Sequence, residues 1–347
     1  MRKKGIKRLI SCMLILALIL TASLAGCAKK GQKIAFFKYK SGDTFISEMM
    51  GYMTARVPQG VTFEVRDAGN SQSVQNQQIV DLVSGGFDLL VINAVDRLAC
   101  SSIIAKCAAE GTPIIFFNRE PPGDALDGSD AFYVGADTDS MGKKQAEMVA
   151  ELFGGGFTDS KFDKNGDGVV QTAILKGEQG HQDAEKRTDN CIAHLKSLGY
   201  SVDVLAIEVA DWNRRDGYDA MKSLYEAYGD SIELIFSNND DMALGAIDYL
   251  LDEDIFSQHN AVYEQPIVVV GVDGTEVGLE AIEKGLLYGT VNNDYRKQSD
   301  AILTLVDYIL SGDSFEDFPY SIIRSHYIYI SGDIITQANL KEFLSSS

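Results

Sequence analysis

One acidic loop of the chain has the residue types and the spacing of a metal site. Residues 163–171 read DKNGDGVVQ and open with the D-x-N-x-D-G spacing of an EF-hand calcium loop. An EF-hand loop closes with a bidentate glutamate at its twelfth position, but that position is Ile174 in this chain. Taken alone, the loop is a calcium site without its last ligand, a solvated turn, or a site whose last ligand comes from elsewhere in the chain.

A second polar cluster, EQGHQDAEKR at residues 178–187, follows a predicted strand and leads into a predicted helix. One interpretation is an ion pair between Asp183 and Arg187 on a solvated helix, which would add only a few tenths of a kcal/mol. Another is that His181, Asp183 and Arg187 bind a hydroxylated ligand at the mouth of a cleft. The weakest is an acid–base dyad of His181 and Asp183, because no nucleophile or second carboxylate stands beside it.

Trp212 is the only tryptophan, and it lies among polar and charged neighbours in ADWNR, just past the predicted strand Val202–Val209. Phe45 occupies the matching place after the first strand of the other half of the chain. Two aromatic rings from opposite halves could hold the C–H faces of a pyranose, while carboxylates and amides bind the hydroxyls at its rim. The alternative is that Trp212 is an ordinary core residue.

Polar residues also stand at the carboxyl ends of several predicted strands, at Asn93, Asn118, Asn239, Asp273 and Asn293. Any one of them could simply begin a turn. In open α/β sheets, however, ligands bind outside the carboxyl ends of the strands. Polar groups collected there from many strands therefore indicate one binding cleft.

The elements that must position these residues come in two series of strands with helices between them. Apolar, β-rich runs predict the strands Lys33–Tyr39, Val61–Arg66, Leu89–Asn93, Pro113–Asn118 and Phe132–Ala136, and then Thr172–Lys176, Val202–Val209, Leu234–Asn238, Pro266–Val272 and Gly289–Asn292. Amphipathic stretches predict the helices Ser73–Ser84, Ser101–Ala109, Ser140–Leu152, Ala184–Leu198, Asp216–Ala227, Met242–Leu251 and Val277–Lys284. This alternation predicts two similar α/β lobes, each a parallel sheet with helices on both faces.

The first residues of the chain indicate export. A basic head at residues 2–8 and an apolar run at 9–20 precede the sequence LAGC at 24–27, which together indicate a secretory signal peptide rather than a membrane span. The LAGC ending resembles a bacterial lipobox. That resemblance implies a signal peptide of residues 1–26, cleavage before Cys27, and a lipid on its sulfur that anchors a short linker, 27–32, to a membrane surface. The alternative is an ordinary signal peptide with a chance cysteine.

Composition and missing motifs exclude several classes of protein. Cleavage before Cys27 would remove five of the 31 basic residues and none of the 50 acidic ones, so the net charge would go from −19 to −24. Nucleic acid is excluded as a partner, because so acidic a protein would not be held by contacts to phosphates. The sequence contains no dinucleotide-binding G-x-G-x-x-G after a strand, no P-loop and no G-x-S-x-G elbow. Cys100, Cys107 and Cys191 form no C-x-x-C, which favours buried thiols and leaves one disulfide open.

Nearly the whole chain after residue 27 resembles the bacterial periplasmic galactose/glucose-binding proteins, which have the type I solute-binding fold. The motifs that carry this resemblance are, in order, LVINAVD around Asn93, IIFFNREP around Asn118, FYVGADT from Phe132, DKNGDGVVQ, LKGEQGHQDAEKR, ADW at Trp212, FSNNDDMALGAI at Asn239, VVGVDG at Asp273 and GTVNND at Asn293. The resemblance implies a binding protein rather than an enzyme, with two lobes joined by three hinge crossovers that close on D-galactose or D-glucose.

The same resemblance implies a set of sugar-binding residues. Phe45 and Trp212 would be the stacking pair, and the others would bind hydroxyls. The implied set is Asp43, Phe45, Asn93, His181, Asp183, Arg187, Trp212, Asn239, Asp273 and Asn293. The choice between galactose and glucose stays open.

Members of the resembled family also bind one calcium ion in a nine-residue loop that a distant glutamate closes, and the matching glutamate here is Glu233. Calcium needs several oxygen ligands, which need not be contiguous in the chain. The implied ligands are Asp163, Asn165, Asp167, the backbone carbonyl of Val169, Gln171 and Glu233.

The implied organisation is an N-terminal lobe of residues 33–136 and 294–320 and a C-terminal lobe of 137–293 and 321–347. The implied function is that of a lipid-anchored extracytoplasmic receptor, on the periplasmic side if the cell is Gram-negative, that delivers sugar to the permease of an ABC transporter. The alternative is a sugar-sensing lipoprotein that signals to a membrane chemoreceptor or sensor kinase.

Overall fold

The computed structural model describes residues 31–158 and 160–346, and these residues form two α/β lobes, each built on a six-stranded sheet. The prediction of two parallel-sheet lobes is confirmed. The predicted signal peptide, 1–26, and the predicted lipidation site, Cys27, lie outside the described residues. Among the helices that are described, none has the length and the apolar character needed to cross a bilayer.

The two sheets have the same strand order. The first sheet contains Lys33–Lys38 (β1), Thr62–Asp67 (β2), Leu89–Ile92 (β3), Ile114–Phe117 (β4), Ala131–Ala136 (β5) and Tyr327–Ile330 (β11). The second sheet contains Val169–Lys176 (β6), Ser201–Val209 (β7), Leu234–Ser237 (β8), Val268–Asp273 (β9), Gly289–Asn292 (β10) and Ile334–Thr336 (β12). Their spatial orders are β11-β5-β4-β3-β1-β2 and β12-β10-β9-β8-β6-β7, and the pairing is parallel except between β10 and β12.

Helices cover both faces of each sheet. They are Thr44–Thr54 (α1), Gln72–Ser84 (α2), Cys100–Ala109 (α3), Thr138–Phe153 (α4), Gln182–Ser197 (α5), Arg214–Tyr228 (α6), Asp240–Asp252 (α7), Glu276–Glu283 (α8), Tyr295–Ser311 (α9) and Leu340–Ser346 (α10). Short 3-10 helices occur at Arg97–Ala99, Gly229–Ser231, Val262–Glu264 and Phe315–Asp317.

Strand β1 shows why the strands are apolar throughout their length. Successive side chains of a strand point to opposite faces of the sheet. Ile34 and Phe36 pack into the core beneath α1 and α9, whereas Ala35 and Phe37 pack into the core beneath α2 and α3. Both faces of this strand are therefore buried, as expected in a parallel sheet that helices cover on both sides.

The predicted boundary between the lobes near the C-terminus is wrong. The sequence places residues 321–347 in the second lobe, but Tyr327–Ile330 pairs in parallel with Ala131–Ala136 of the first sheet. Only the part from Ile334 onward joins the second sheet, so the last crossover lies at residues 331–333. The crossovers lie side by side because the Asp137 amide donates to the Ile330 carbonyl over 2.9 Å and the Asn292 amide donates to the Asp333 carbonyl over 2.8 Å.

The three cysteines in the described part of the chain are buried thiols, as predicted. Cys100, Cys107 and Cys191 are fully buried in apolar cores, and none of them is in a disulfide. Burial raises the pKa of Cys100 and of Cys107 to about 12, so both thiols stay protonated and unreactive at neutral pH.

Candidate functional site

A cavity lies in the cleft between the lobes, at the carboxyl ends of strands from both sheets. Nine of the ten residues predicted to bind sugar line it: Asp43, Phe45, His181, Asp183, Arg187, Trp212, Asn239, Asp273 and Asn293. Three further lining residues, Tyr39, Asn118 and Arg119, were not in the predicted set. Residues far apart in the chain thus meet at one place because both sheets present the ends of their strands to the cleft.

Asn93 is the predicted site residue that the structure does not place at the cavity. Its side chain is fully buried, where Nδ2 donates to Asn118 Oδ1 over 3.0 Å and Oδ1 accepts from the Tyr39 amide over 3.2 Å. Asn118 itself lines the cavity and has a left-handed backbone, with φ 61°. Asn93 therefore holds Tyr39 and Asn118 in place, and the strand-end asparagine that reaches the cavity is Asn118.

The wall from the first lobe is built on Tyr39, Asp43 and Phe45. Asp43 Oδ1 caps α1 by accepting from the Ile46 amide over 2.9 Å, and Oδ2 accepts from the Tyr39 hydroxyl over 2.7 Å. The Arg119 guanidinium lies 4.2 Å from the centre of the Tyr39 ring. These contacts fix the Asp43 carboxylate at the cavity and leave its remaining lone pairs for a ligand hydroxyl.

The wall from the second lobe begins with a buried histidine at the N-terminus of α5. His181 Nδ1 accepts from the Asp183 amide over 3.1 Å, so the neutral ring carries its proton on Nε2 as a hydrogen-bond donor. Burial first, and then the positive charges of Arg119 and Arg187, lower the pKa of His181 well below 6.5. The ring is therefore neutral in the folded protein at neutral pH.

This neutral histidine predicts a loss of stability in acid. The unfolded chain protonates His181 below about pH 6.5, whereas the folded protein does not, so the unfolded state binds more protons there. Stability should fall as the pH drops below about 6.5, by up to about 1.4 kcal/mol per pH unit from this group. In His181→Asn, which retains a helix-capping side chain, the fall measured by thermal unfolding should be smaller. The exposed control His259→Asn should follow the wild type, and parallel curves for His181→Asn and wild type would contradict the assignment.

Arg187 lies between two buried carboxylates. Its Nη2 donates to Asp183 Oδ2 over 3.3 Å, its Nη1 lies 3.7 Å from Asp273 Oδ1, and all three side chains are at most 7% exposed. Burial raises the pKa of both carboxyl groups, and Arg187 opposes the rise. Arg187 Nε is buried and has no hydrogen-bond partner among the described residues. The cluster therefore offers carboxylate acceptors and an unused donor, which are the groups that hydroxyls need.

Trp212 adopts a strained backbone to reach the cavity. Trp212 and the preceding Asp211 both have left-handed φ values, 64° and 44°, which are costly for residues other than glycine. The indole packs directly on Gly177, where an added Cβ would lie 2.3 Å from ring atoms. The His181 ring meets it edge-on, with centroids 5.1 Å apart. Trp212 therefore lines the cavity while it also packs against the core of the second lobe.

Polar contacts across the cleft hold the lobes in a closed arrangement. Arg119 Nη2 of the first lobe lies 2.6 Å from Glu178 Oε2 of the second. Arg97 Nη2 of the first lobe donates to Gln182 Oε1 of the second over 2.8 Å. At another position on the rim, the Thr44 hydroxyl donates to Asp241 Oδ2 over 2.6 Å. The cavity is therefore enclosed between the lobes, and ligand entry requires them to separate about the crossovers.

The ion pair between Arg119 and Glu178 predicts a modest contribution to closure. Glu178→Gln should weaken ligand binding by only a few-fold, because the Glu178 side chain is 43% exposed and the pair is screened by salt. The variant should also bind with a weaker dependence on salt concentration, as measured by calorimetry. The control Asp248→Asn breaks an exposed pair with Arg214 inside one lobe and should leave binding unchanged. If Glu178→Gln had wild-type affinity and salt dependence, the pair would have no part in closure.

The predicted calcium loop brings its ligand candidates together around Glu233. Both carboxylate oxygens of Glu233 accept backbone amides of the loop, Lys164 over 2.8 Å and Gln171 over 3.0 Å. The two carboxylate oxygens of Asp163 likewise accept from the backbone amides of Gly166 and Gly168. The side-chain oxygen Oε1 of Gln171 is buried and has no hydrogen-bond partner among the described residues. Across residues 31–158 and 160–346, no three His, Cys, Asp or Glu side chains form a metal-binding group by themselves. The oxygen-only donor set, with a buried unpaired amide oxygen, fits a hard cation.

Two α/β lobes that enclose an aromatic and polar cavity at their strand ends define a solute-binding protein. Residues 34–314 match the periplasmic binding protein domain family, and the chain belongs to that family.

Named relatives cover nearly the whole chain. The chain is 33% identical to the D-galactose/methyl-galactoside binding periplasmic protein of Haemophilus influenzae, over 88% of this chain and 90% of that protein. It is 28% identical to a putative rhizopine-binding protein of Rhizobium meliloti, over 95% of this chain and 96% of that protein. A solved ABC transporter solute binding protein from Bacillus halodurans, with bound myo-inositol, is 25% identical and superimposes with a TM-score of 0.74 over 92% of this chain and 100% of that one.

Proposed function

We propose that this protein is an extracytoplasmic receptor that binds a monosaccharide between its lobes and delivers it to an ABC transporter. The observation that carries the proposal is the cavity itself, where Phe45 and Trp212 from opposite lobes meet buried carboxylates, amides and guanidinium groups.

D-Galactose or D-glucose is the ligand we propose. The relative from Haemophilus influenzae is named for D-galactose and methyl-galactoside, and it is the only one of the relatives compared above that exceeds 30% identity. A pyranose offers apolar C–H faces to Phe45 and Trp212 and a rim of hydroxyls to Asp43, Asp183 and Asp273. Closure of the lobes on the sugar would convert binding into a change of shape that a membrane permease reads. The lipid on Cys27 would keep the receptor at the membrane.

We also propose a structural calcium ion at the loop 163–171. Asp163, Asn165, Asp167, the Val169 carbonyl, Gln171 and Glu233 would hold it. The buried, unpaired Gln171 Oε1 and the two buried oxygens of Glu233 support this assignment. When bound, the ion would tie the start of β6 to the segment that leads into β8, within one lobe. Its role would be stability, because none of its ligands lines the sugar cavity.

Calorimetric titration with D-galactose, D-glucose, ribose, myo-inositol and a β-galactoside tests the proposal. We expect tight binding of galactose or glucose and much weaker binding of ribose, which lacks one hydroxymethyl carbon to fill the cavity. Unchanged sugar should be recovered from the purified complex. Preferential binding of ribose or myo-inositol would overturn the hexose assignment, and failure to bind any of the five would overturn the receptor proposal.

A further inference from the structure

A buried carboxylate next to the cavity, that of Asp240, is not used by the site described above. Asp240 is the first residue of α7, directly after the lining residue Asn239, and it is fully buried. Two glycines make room for it. An added Cβ at Gly271 would lie 2.3 Å from Asp240 Oδ1, and one at Gly278 would lie 2.4 Å from Oδ2. The surrounding backbone is therefore shaped around this carboxylate.

Asp240 binds the turn that follows β9 directly through Oδ2, and indirectly through Oδ1 and Thr290 of β10. Oδ2 accepts from the Thr275 amide over 2.9 Å and from the Thr275 hydroxyl over 3.1 Å. Oδ1 accepts from the Thr290 hydroxyl over 2.6 Å, and the same Thr290 oxygen accepts from the Gly274 amide over 3.3 Å. The two consecutive residues of the turn are thus attached to the Asp240 carboxylate. Thr275 is bonded to it directly, and Gly274 is bonded to it through the Thr290 hydroxyl.

The residue immediately before this pair is Asp273, whose carboxylate lines the cavity. Asp273 has a φ of 124°, a region that is sparsely populated by residues with a side chain. Gly274 follows with φ 68°, and an added Cβ there would lie 2.8 Å from Asn292 Oδ1. Such backbone strain, about 1–3 kcal/mol per residue, persists only where neighbouring contacts hold it.

We propose that Asp240 is a positioning residue of the sugar site, acting through Thr275 and Thr290 to hold the strained turn that aims the Asp273 carboxylate at the ligand. This inference rests on the proposed sugar-binding function. A carboxylate suits the position for two reasons. It can accept all three of these hydrogen bonds without donating one, and a negative charge is favoured in the first turn of a helix. Burial raises the pKa of Asp240 to about 7, and the hydrogen bonds from Thr290 and Thr275 oppose that rise by favouring the ionised form.

The test uses variants that keep the volume of the buried cluster. Asp240→Asn replaces one acceptor oxygen with a donor, and Thr290→Val removes the hydroxyl that links Asp240 to Gly274. Each should weaken binding of D-galactose or D-glucose in calorimetry by about ten- to a hundred-fold, the range for hydrogen bonds to charged groups. Thr290→Ser keeps the hydroxyl and should bind nearly as well as wild type. The control Asp248→Asn changes an exposed acid on the same helix and should bind as wild type.

Two readouts separate positioning from a general loss of stability. In a double-mutant cycle, Asp240→Asn should add little to the loss caused by Asp273→Asn, since both act on one carboxylate. A further independent loss would overturn the inference, as would wild-type affinity in both Asp240→Asn and Thr290→Val. If Asp240→Asn does not fold, the comparison of Thr290→Val with Thr290→Ser decides, and equal affinities in those two would overturn it.

Hydrogen exchange of the sugar-free protein gives an answer that does not depend on the ligand. The Gly274 and Thr275 amides should exchange at least ten-fold faster in Asp240→Asn and Thr290→Val than in wild type or Asp248→Asn. Unchanged exchange at these amides would overturn the inference even if the sugar proposal stands. Conversely, a wild-type protein that binds neither hexose would overturn the hexose assignment, while faster exchange in the two variants would still show that Asp240 holds the turn.

Discussion

Trp212→Ala should reduce affinity for D-galactose or D-glucose by about a hundred-fold or more while the protein stays folded. A tryptophan buries about 150–250 Å² of surface, and at about 25 cal/mol per Å² half of that area on the sugar side amounts to about 2–3 kcal/mol. About 1.4 kcal/mol corresponds to a factor of ten in the dissociation constant. The loss should appear in calorimetry, with little change in the circular dichroism spectrum.

Two variants control this experiment. Trp212→Phe keeps an aromatic face and should recover most of the affinity, whereas Tyr228→Ala removes an aromatic ring that is 37% exposed at the end of α6 and should have no effect. Because Trp212 is the only tryptophan, its fluorescence should also change when sugar binds to the wild type. Wild-type affinity in Trp212→Ala would remove Trp212 from the site.

Glu233→Gln should abolish the stabilisation of the protein by calcium. An ion that binds only the folded state raises the free energy of unfolding by about 2.7 kcal/mol at a hundred times its dissociation constant, so the wild type should melt several degrees higher in calcium than in chelator. Glutamine removes one negative ligand oxygen from a side chain that is 2% exposed. The melting temperature of Glu233→Gln should therefore hardly respond to calcium.

The comparison in chelator decides between a metal site and a hydrogen-bonded turn. Without calcium, Glu233 is a buried carboxylate whose pKa burial raises, and the wild type should lose most of its advantage over the variant. Glu226→Gln, an exposed glutamate on α6, should behave as wild type throughout. Equal destabilisation by Glu233→Gln with and without calcium would mean that Glu233 supports the loop only through its bonds to the Lys164 and Gln171 amides.

Much of the fold follows from local patterns. Each of the ten predicted strands occurs within three residues of its predicted bounds. They could be predicted because an apolar run bounded by turn residues is a local pattern, which lies within the strand's own sequence. Tyr327–Ile330 and Ile334–Thr336 are not among the predicted strands, because they follow one another without a helix between them and so fall outside the alternation of strands and helices. These two strands lie at the edges of different sheets, beside β5 and β10.

The candidate site was predictable as a set of residue types but not as a set of contacts. Strand-end asparagines mark the cleft, yet Asn93 and Asn118 have equivalent positions in the sequence, and only the packing shows that Asn118 reaches the cavity. Arg119 gave no local signal, because its partner Glu178 lies in the other lobe, 59 residues away. Asp240 likewise reads as an ordinary first-turn acid until Thr275 and Thr290 are brought to it.

Local sequence patterns are enough to predict two parallel α/β lobes, buried thiols, and the residue types that meet in a cleft. These properties depend on periodicity and on neighbours in the chain, so they can be read along it. The tertiary structure decided the position of the last crossover, the replacement of Asn93 by Asn118 at the cavity, and the attachment of the Asp273 turn to Asp240. Each of these depends on contacts between residues far apart in sequence, and such contacts exist only once both sheets have formed.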